Sequence, residues 1–254
     1  MTESPQWRFL KFGLLVTGKG EALFLPRLFR SLSGLGGGCT FKVIRRIEQL
    51  SPRTSVKQIR LHVTGTKKRL PSRDEELGMA ARGWLNSGGD YVLLIDDLEH
   101  GRAGFEREIF NRYRQALDDA LGKRSGLASV HFLVNMLEAY YFADAKALNT
   151  VLNLKPPLAD EPGDVERLRH PKNELKRLSP GFDEKMHGQQ LVALLNIEHV
   201  LARPETCASL RVLFAWCMQA LGQTVSSRYR LDTGVYALVT GVQLRRNKAG
   251  QGGE

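Results

Sequence analysis

Between residues 7 and 32 the chain passes from WRFLKFGLLV, which ends in an unbroken apolar run, to TGKGEALFLPRLFRSL. In the second stretch Ala22, Leu23, Leu25, Leu28, Phe29 and Leu32 recur at helical spacing. Consecutive apolar positions suit a strand covered on both faces and the second pattern suits an amphipathic helix, so the segment predicts strand, glycine turn, helix. GLGGG at 34 to 38 then stops the helix, because glycine supplies the backbone conformations a C-cap and turn need. Strands are expected at 40 to 48 and around 56 to 64, both rich in β-branched residues. Ser72 followed by Glu75 makes a capping box, which starts a helix running to about Asn86 before SGG breaks it.

The run Tyr91 to Ile95 in DYVLLIDDLEHGR is again continuously apolar and ends abruptly in acids. Phe105, Ile109, Phe110, Tyr113, Ala116, Leu117, Ala120 and Leu121 trace one helical stripe with charges opposite, and a buried strand at about Ala128 to Val134 leads into the helical MLEAYYFADAKAL. Strands alternating with helices predict an α/β fold with a mostly parallel sheet and helices on both faces, over residues 1–150. Residues 151–247 carry a short helix around Asn173 to Leu178 and a longer apolar one around Cys207 to Leu221, which predicts a helical segment capping the sheet. Residues 248–254 are expected to be a disordered tail.

Sites in such sheets gather at the carboxyl ends of strands. Two ends stand out, Thr17 to Glu21 and Asp96 to Glu99. Grouped carboxylates repel one another unless a cation or basic group offsets them, and hard oxygen ligands suit Mg²⁺ or Mn²⁺. If the strand continues that far, its period of two puts Asp97 and Glu99 on one side and Asp96 on the other. The plainer alternative is helix capping and ordinary loop acids. GKGE at 18 to 21 lacks the P-loop and dinucleotide fingerprints, although its glycines can bring backbone N–H groups toward a phosphate. Glu138 lies in a mostly apolar stretch, where a buried acid needs a partner or a proton: either a nearby arginine or the same metal site. Lys19, Lys172 or Lys185 can neutralise a phosphate, and Lys172 can equally just flank a helix with proline in its first turn.

Charge adds a possible partner. The chain has a formal net charge of +10, and between positions 42 and 73 ten basic residues, among them Arg45, Arg46, Lys57, Arg60, Lys67, Lys68 and Arg69, face one acid, Glu48. Such a block can follow a phosphate backbone or remain a solvated face. Cys39, Cys207 and Cys217 match no zinc or disulfide framework and are expected to be reduced and buried, and the six histidines are scattered. No apolar run approaches the roughly 20 residues needed to cross a bilayer, and Met1 to Pro5 is polar, so a cytoplasmic location without membrane contact is expected.

VTGKGEALFLPRLF, VLLIDDLE, MLEAYYFAD, HPKNEL, FDEKMHGQQLVALL and CASLRVLF follow one another in an order and spacing that resembles a TOPRIM-like domain-of-unknown-function family of bacteria, over roughly residues 10 to 220. The resemblance implies a TOPRIM-like sheet, often encoded beside an overcoming-lysogenization, ABC-like or AAA-type ATPase in loci of antiphage-defence type. TOPRIM nucleases and topoisomerases hold Mg²⁺ with a glutamate after the first strand and an acidic pair after a later one. Carried over, the acidic pair falls at Asp96, Asp97 and Glu99, the family's EAW-like block at Glu138, Ala139 and Tyr140 with Asp144 closing it, and its PK pair at Pro171 and Lys172. The first-strand glutamate falls on Thr17, which is neutral. Either Glu21, one helical turn on, substitutes for it, or catalysis is impaired.

The leading expectation is a metal-dependent nuclease or nuclease-like effector. Glu21, Asp96, Asp97, Glu138 and Lys172 would be its catalytic groups, Asp96, Asp97 and Glu99 its Mg²⁺ or Mn²⁺ ligands, and the basic block its nucleic-acid surface. The alternative is a catalytically degenerate module that binds a partner ATPase or senses a phage component. A small-molecule enzyme acting on a phosphorylated ligand near GKGE comes third, since no nucleophile or base is evident.

Overall fold

The computed structural model describes residues 8–34, 37–49, 72–203 and 205–223, together with the backbone of two short paired strands, Val235–Ala237 and Val242–Leu244. The strand expected at 56 to 64, the basic residues from Arg53 to Arg69 and the tail at 248–254 lie outside the described residues.

Four apolar segments form one all-parallel sheet: β1 (Leu10–Val16), β2 (Cys39–Arg46), β3 (Tyr91–Leu98) and β4 (Ala128–Val134), in the order β2-β1-β3-β4. Strand β3 runs on through both aspartates. The chain leaves β1 outward through α1 (Lys19–Leu28) to β2, then returns through α2 (Arg73–Asn86) to β3 on the other side of β1, and α3 (Glu106–Leu121) carries it to β4. The direction of winding therefore reverses between β1 and β3, and the crevice outside their carboxyl ends is where open α/β sheets place ligands.

Strand periodicity sorts the core into two layers. Phe12, Leu14, Val16, Leu93, Ile95 and Leu133 point to one face, which α1 and the later helices cover. Leu15, Val92, Leu94, Leu98, Val130 and Phe132 point to the other, under α2 and α3. The predicted capping box is formed in both halves: the Glu75 N–H donates to Ser72 Oγ at 3.2 Å and the Ser72 N–H to Glu75 Oε2 at 2.6 Å.

After β4 come a 3-10 segment, Leu137–Ala143, and five helices: α4 (Ala145–Leu152), α5 (Pro171–Leu178), α6 (Met186–Leu194), α7 (Ile197–Ala202) and α8 (Ala208–Ala220). Helices α6 and α7 go beyond the two expected here. The helices share their core with the sheet: Trp216 of α8 meets Tyr91 and His131 edge-on at centroid distances of 5.6 and 6.0 Å. His131 is wholly buried, with Nε2 3.0 Å from Ser129 Oγ, and burial lowers its pKa to about 3, so it is a neutral core residue. The three cysteines are free and buried, as expected. Among the described residues no helix is long and apolar enough to cross a membrane.

Candidate active site at the carboxyl ends of β1 and β3

Adjacent aspartates on a strand must face opposite ways, and here they enter different environments. Asp96 points to the α2–α3 side and has no solvent exposure. Its carboxylate accepts hydrogen bonds from Arg102 Nη2 at 2.6 Å, Arg102 Nη1 at 3.1 Å, Tyr113 Oη at 3.0 Å and Thr17 Oγ1 at 2.9 Å. Four donors fill the acceptor sites a carboxylate offers. For Arg102, burial works against the charge, but hydrogen bonding and attraction to Asp96 outweigh it and raise its pKa. Asp96 is thus the anion of a buried ion pair.

That pair also fixes the peptide that carries Asp97. Arg102 Nη1 donates to the Asp97 carbonyl at 2.7 Å, as does Gln49 Nε2 at 3.1 Å. Thr17 Oγ1 gives its proton to Asp96 and accepts the Asp97 N–H at 3.2 Å. Thr17 therefore joins the ends of β1 and β3 through a hydroxyl that both donates and accepts, which a carboxylate cannot do.

The Asp97 side chain points to the α1 face, where Glu21 and Glu138 also arrive. Glu21 sits at the third position of α1 and folds back so that its carboxylate accepts its own backbone N–H. Gly18 makes this possible: a Cβ there would lie 1.6 Å from Glu21 Oε2. Glu138 follows a turn in which Asn135 and Met136 have φ of 57° and 77°. For methionine that is a strained conformation costing on the order of 1–3 kcal/mol, and such strain concentrates where a side chain must be aimed. The Asn135 side chain steadies the turn by donating to the Glu166 carbonyl at 2.8 Å.

The residues carrying the three carboxyl groups, Glu21, Asp97 and Glu138, are 3%, 7% and 9% exposed. Burial pushes Asp97 well above the usual carboxylate range, and the charges of Glu21, Glu138 and Asp96 push it further. Burial likewise raises Glu21, although its own N–H, a hydrogen bond with Asp97 and the charge of Lys172 hold it back. Burial raises Glu138 too, against the pull of Lys172. Lys172 Nζ, on α5, lies 3.4 Å from Glu138 Oε1 and 3.2 Å from Glu184 Oε2, so the partner of Glu138 is a lysine rather than an arginine. Burial opposes the Lys172 charge, but the two glutamates outweigh it and raise its pKa. Tyr141 completes the cluster: burial raises its hydroxyl pKa, and Glu138, Glu21 and Glu184 add to the rise.

Glu21 Oε2 and Asp97 Oδ1 are buried without a hydrogen-bond donor. Two such carboxyls are satisfied either by a proton, which Asp97 can donate to Glu21, or by a cation between them. Among the described residues no group of three or more His, Cys, Asp or Glu is placed to hold a metal ion. The donor set that fits is the Glu21–Asp97 pair, the one or two carboxylates with which Mg²⁺ is commonly held while it keeps several waters.

Of the expected site residues, the structure gathers Glu21, Asp97, Glu138 and Lys172, and it separates the other two acids. Asp96 is committed to Arg102 on the opposite face, and Glu99 is exposed beyond the end of β3. Arg45 and Arg46 are exposed at the end of β2, Arg45 lying 3.7 Å from Glu76, while Lys57, Arg60, Lys67, Lys68 and Arg69 lie outside the described residues. Lys185 is exposed. Tyr140 and Asp144 are structural: Tyr140 Oη donates to Glu166 Oε1 at 3.0 Å, and Asp144 caps α4 and accepts the Asn196 N–H at 2.8 Å. Arg102, Tyr113, Tyr141 and Glu184 escaped sequence reasoning. An arginine so soon after an acidic strand end was the available signal for Arg102, and Glu184 and Tyr141 lay unremarked inside FDEKMHGQQ and MLEAYYFAD.

A Gly18→Ala substitution isolates the Glu21 carboxylate. Gly18 has φ of −103°, which alanine adopts freely, so the fold should survive while the new methyl group displaces the carboxylate. Isothermal titration with Mn²⁺ is expected to show binding weakened by tenfold or more at an unchanged circular dichroism spectrum. Wild-type affinity would mean that Glu21 is not a ligand.

Comparison of the chain with family models, curated proteins and solved structures gives no match in any of the three.

Proposed function

We propose that the crevice between β1 and β3 is the centre of a cation-dependent phosphodiesterase that acts on nucleic acid in the cytoplasm. The observation carrying this reading is the Glu21–Asp97 pair, two buried carboxyls from different strand ends, each with an oxygen that has no hydrogen-bond partner among the described residues. Burying acids this way is unfavourable unless something is bound there, which makes perturbed carboxyls in a crevice candidates for function. Glu21 and Asp97 would hold Mg²⁺ or Mn²⁺, whose contribution when bound is Lewis acidity toward a phosphoryl oxygen.

The chain's own groups supply charge, a proton for the leaving oxygen and rigidity. Lys172 offers positive charge to a phosphate, and Glu184 and Glu138 keep its ammonium in place. Glu138, raised toward neutrality by burial, can carry a proton to a leaving oxygen. Thr17, Asp96 and Arg102 hold the Asp97 peptide still. Glu21 stands in for the acid that the TOPRIM resemblance expects at Thr17.

The second reading, a catalytically degenerate module that binds an ATPase or senses a phage component in antiphage defence, draws support from Asp96. Its capture by Arg102 leaves one aspartate of the pair for a metal. Incubating the protein with single- and double-stranded DNA and RNA plus Mg²⁺ or Mn²⁺ separates the two. Wild type should cleave, Asp97→Asn should not, and Glu138→Gln should be slower by about 10²–10⁴-fold. Absence of cleavage by wild type with every substrate and metal would overturn the phosphodiesterase reading in favour of the module.

A further inference from the structure

A groove of about 660 Å³ opens between the starts of α1 and α2 and the ends of β1 and β2. Its charge is less balanced than its composition suggests. Of its two acids, Glu48 is ion-paired with Arg73, and Glu76 lies 3.7 Å from Arg45. Lys19 and Arg46 also line it and have no ion-pair partner among the described residues. The groove therefore presents two unspent cations, with buried Ile47 as an apolar part of its wall.

The groove is linked through Thr17 to the peptide that carries Asp97. Thr17 lines it and accepts the Asp97 N–H. Lys19 and Glu21 are the first and third residues of α1, and at about 100° per residue their side chains leave the helix on nearly opposite sides, one toward the groove and the other toward Asp97. An extended anion lying across the start of α1 would meet both. The volume falls in the range of about 300–1,000 Å³ of small-ligand sites, enough for one nucleotide unit.

We infer that this groove is a subsite for a single nucleotide unit, its phosphate held by Lys19 and Arg46 and its apolar parts resting on Ile47. The inference rests on the phosphodiesterase reading for its biological sense and names the substrate class: nucleotides presented singly, as in an unpaired strand, rather than duplex. A free nucleotide offers the same chemistry, and the test distinguishes the two sources.

Binding is measured by fluorescence anisotropy on the full chain in chelator, where cleavage plays no part, with a labelled short single strand, its duplex, and unlabelled nucleoside monophosphate as competitor. Single strand should bind more tightly than duplex. Lys19→Ala/Arg46→Ala should weaken it by about tenfold and reduce the salt dependence by roughly 1.4 in slope, the value for two lost single-strand phosphate contacts. Lys19→Glu/Arg46→Glu should weaken it further, and both variants change exposed residues that the fold does not need. Effective competition by the monophosphate identifies free nucleotide as the occupant, and weak competition identifies the strand; either supports the subsite. Equal or tighter duplex binding, or wild-type affinity in the double variants, overturns it. The subsite stands if binding depends on Lys19 and Arg46 yet no cleavage occurs, in which case only the phosphodiesterase reading falls.

Discussion

Replacing Arg102 by alanine is expected to destabilise the protein by about 3–5 kcal/mol, the cost of stranding one member of a buried ion pair. Asp96 has no solvent exposure and receives two of its four hydrogen bonds from this guanidinium. Without it the carboxylate must either take a proton or stay charged in an apolar layer with only Tyr113 and Thr17 as donors. The Asp97 carbonyl loses a donor at the same time. Urea denaturation followed by circular dichroism measures the loss. Asp96→Asn in the Arg102→Ala background should recover part of it by removing the charge left behind, whereas a loss below about 1 kcal/mol would show that the pair is solvated and not the anchor of the site.

Asp97→Asn should make the protein more stable while abolishing the proposed activity, by about 0.5–2 kcal/mol at pH 8 in chelator. Glu21, Asp97 and Glu138 have folded-state pKa values above their ordinary ones. The native state thus keeps protons that the unfolded chain releases from about pH 4 upward, so this contribution is fully present below that pH and is lost as pH rises through the folded values. His131 acts in the opposite sense. Its folded pKa is lowered to about 3, so it costs stability as pH falls below its ordinary value of about 6.5. The wild-type profile sums both trends, but the difference between wild type and Asp97→Asn cancels His131. That difference should grow from near zero at pH 4 to its full value at pH 8. Mg²⁺ should reverse it, adding about 2.7 kcal/mol to wild type at a hundred times the dissociation constant and nothing to the variant. Equal stability of the two proteins in chelator at pH 8 would remove the argument that the pair is held in wait for a cation.

Much of the frame was legible in the chain because it is set by short-range pattern. The apolar runs marked β1, β3 and β4, and Ser72 with Glu75 marked the start of α2. Period two also foretold that Asp96 and Asp97 part company. Which aspartate would be free was not legible, since that depends on Arg102 and on Tyr113, which reach Asp96 only once α3 packs on the sheet. Glu99 illustrates the same limit: it has the parity of Asp97, but the strand stops at Leu98 and the chain turns it into solvent. Helices α6 and α7 are short and carry little local contrast, and Glu184 acquires meaning only through Lys172, twelve residues away on another segment.

Glu21, Asp97, Glu138 and Lys172 come from the ends of β1, β3 and β4 and from α5, and this scatter sets when the site can exist. Chains emerge from the ribosome N-terminus first, at about 5–20 residues per second. A nascent chain that has released β1 and β3 holds two mutually repelling acids without the lysine that tempers them, and no local interaction brings them together beforehand. The cluster closes only after α5 has been made and docked. Any reactivity it has is thereby withheld from the nascent chain until α5 is in place.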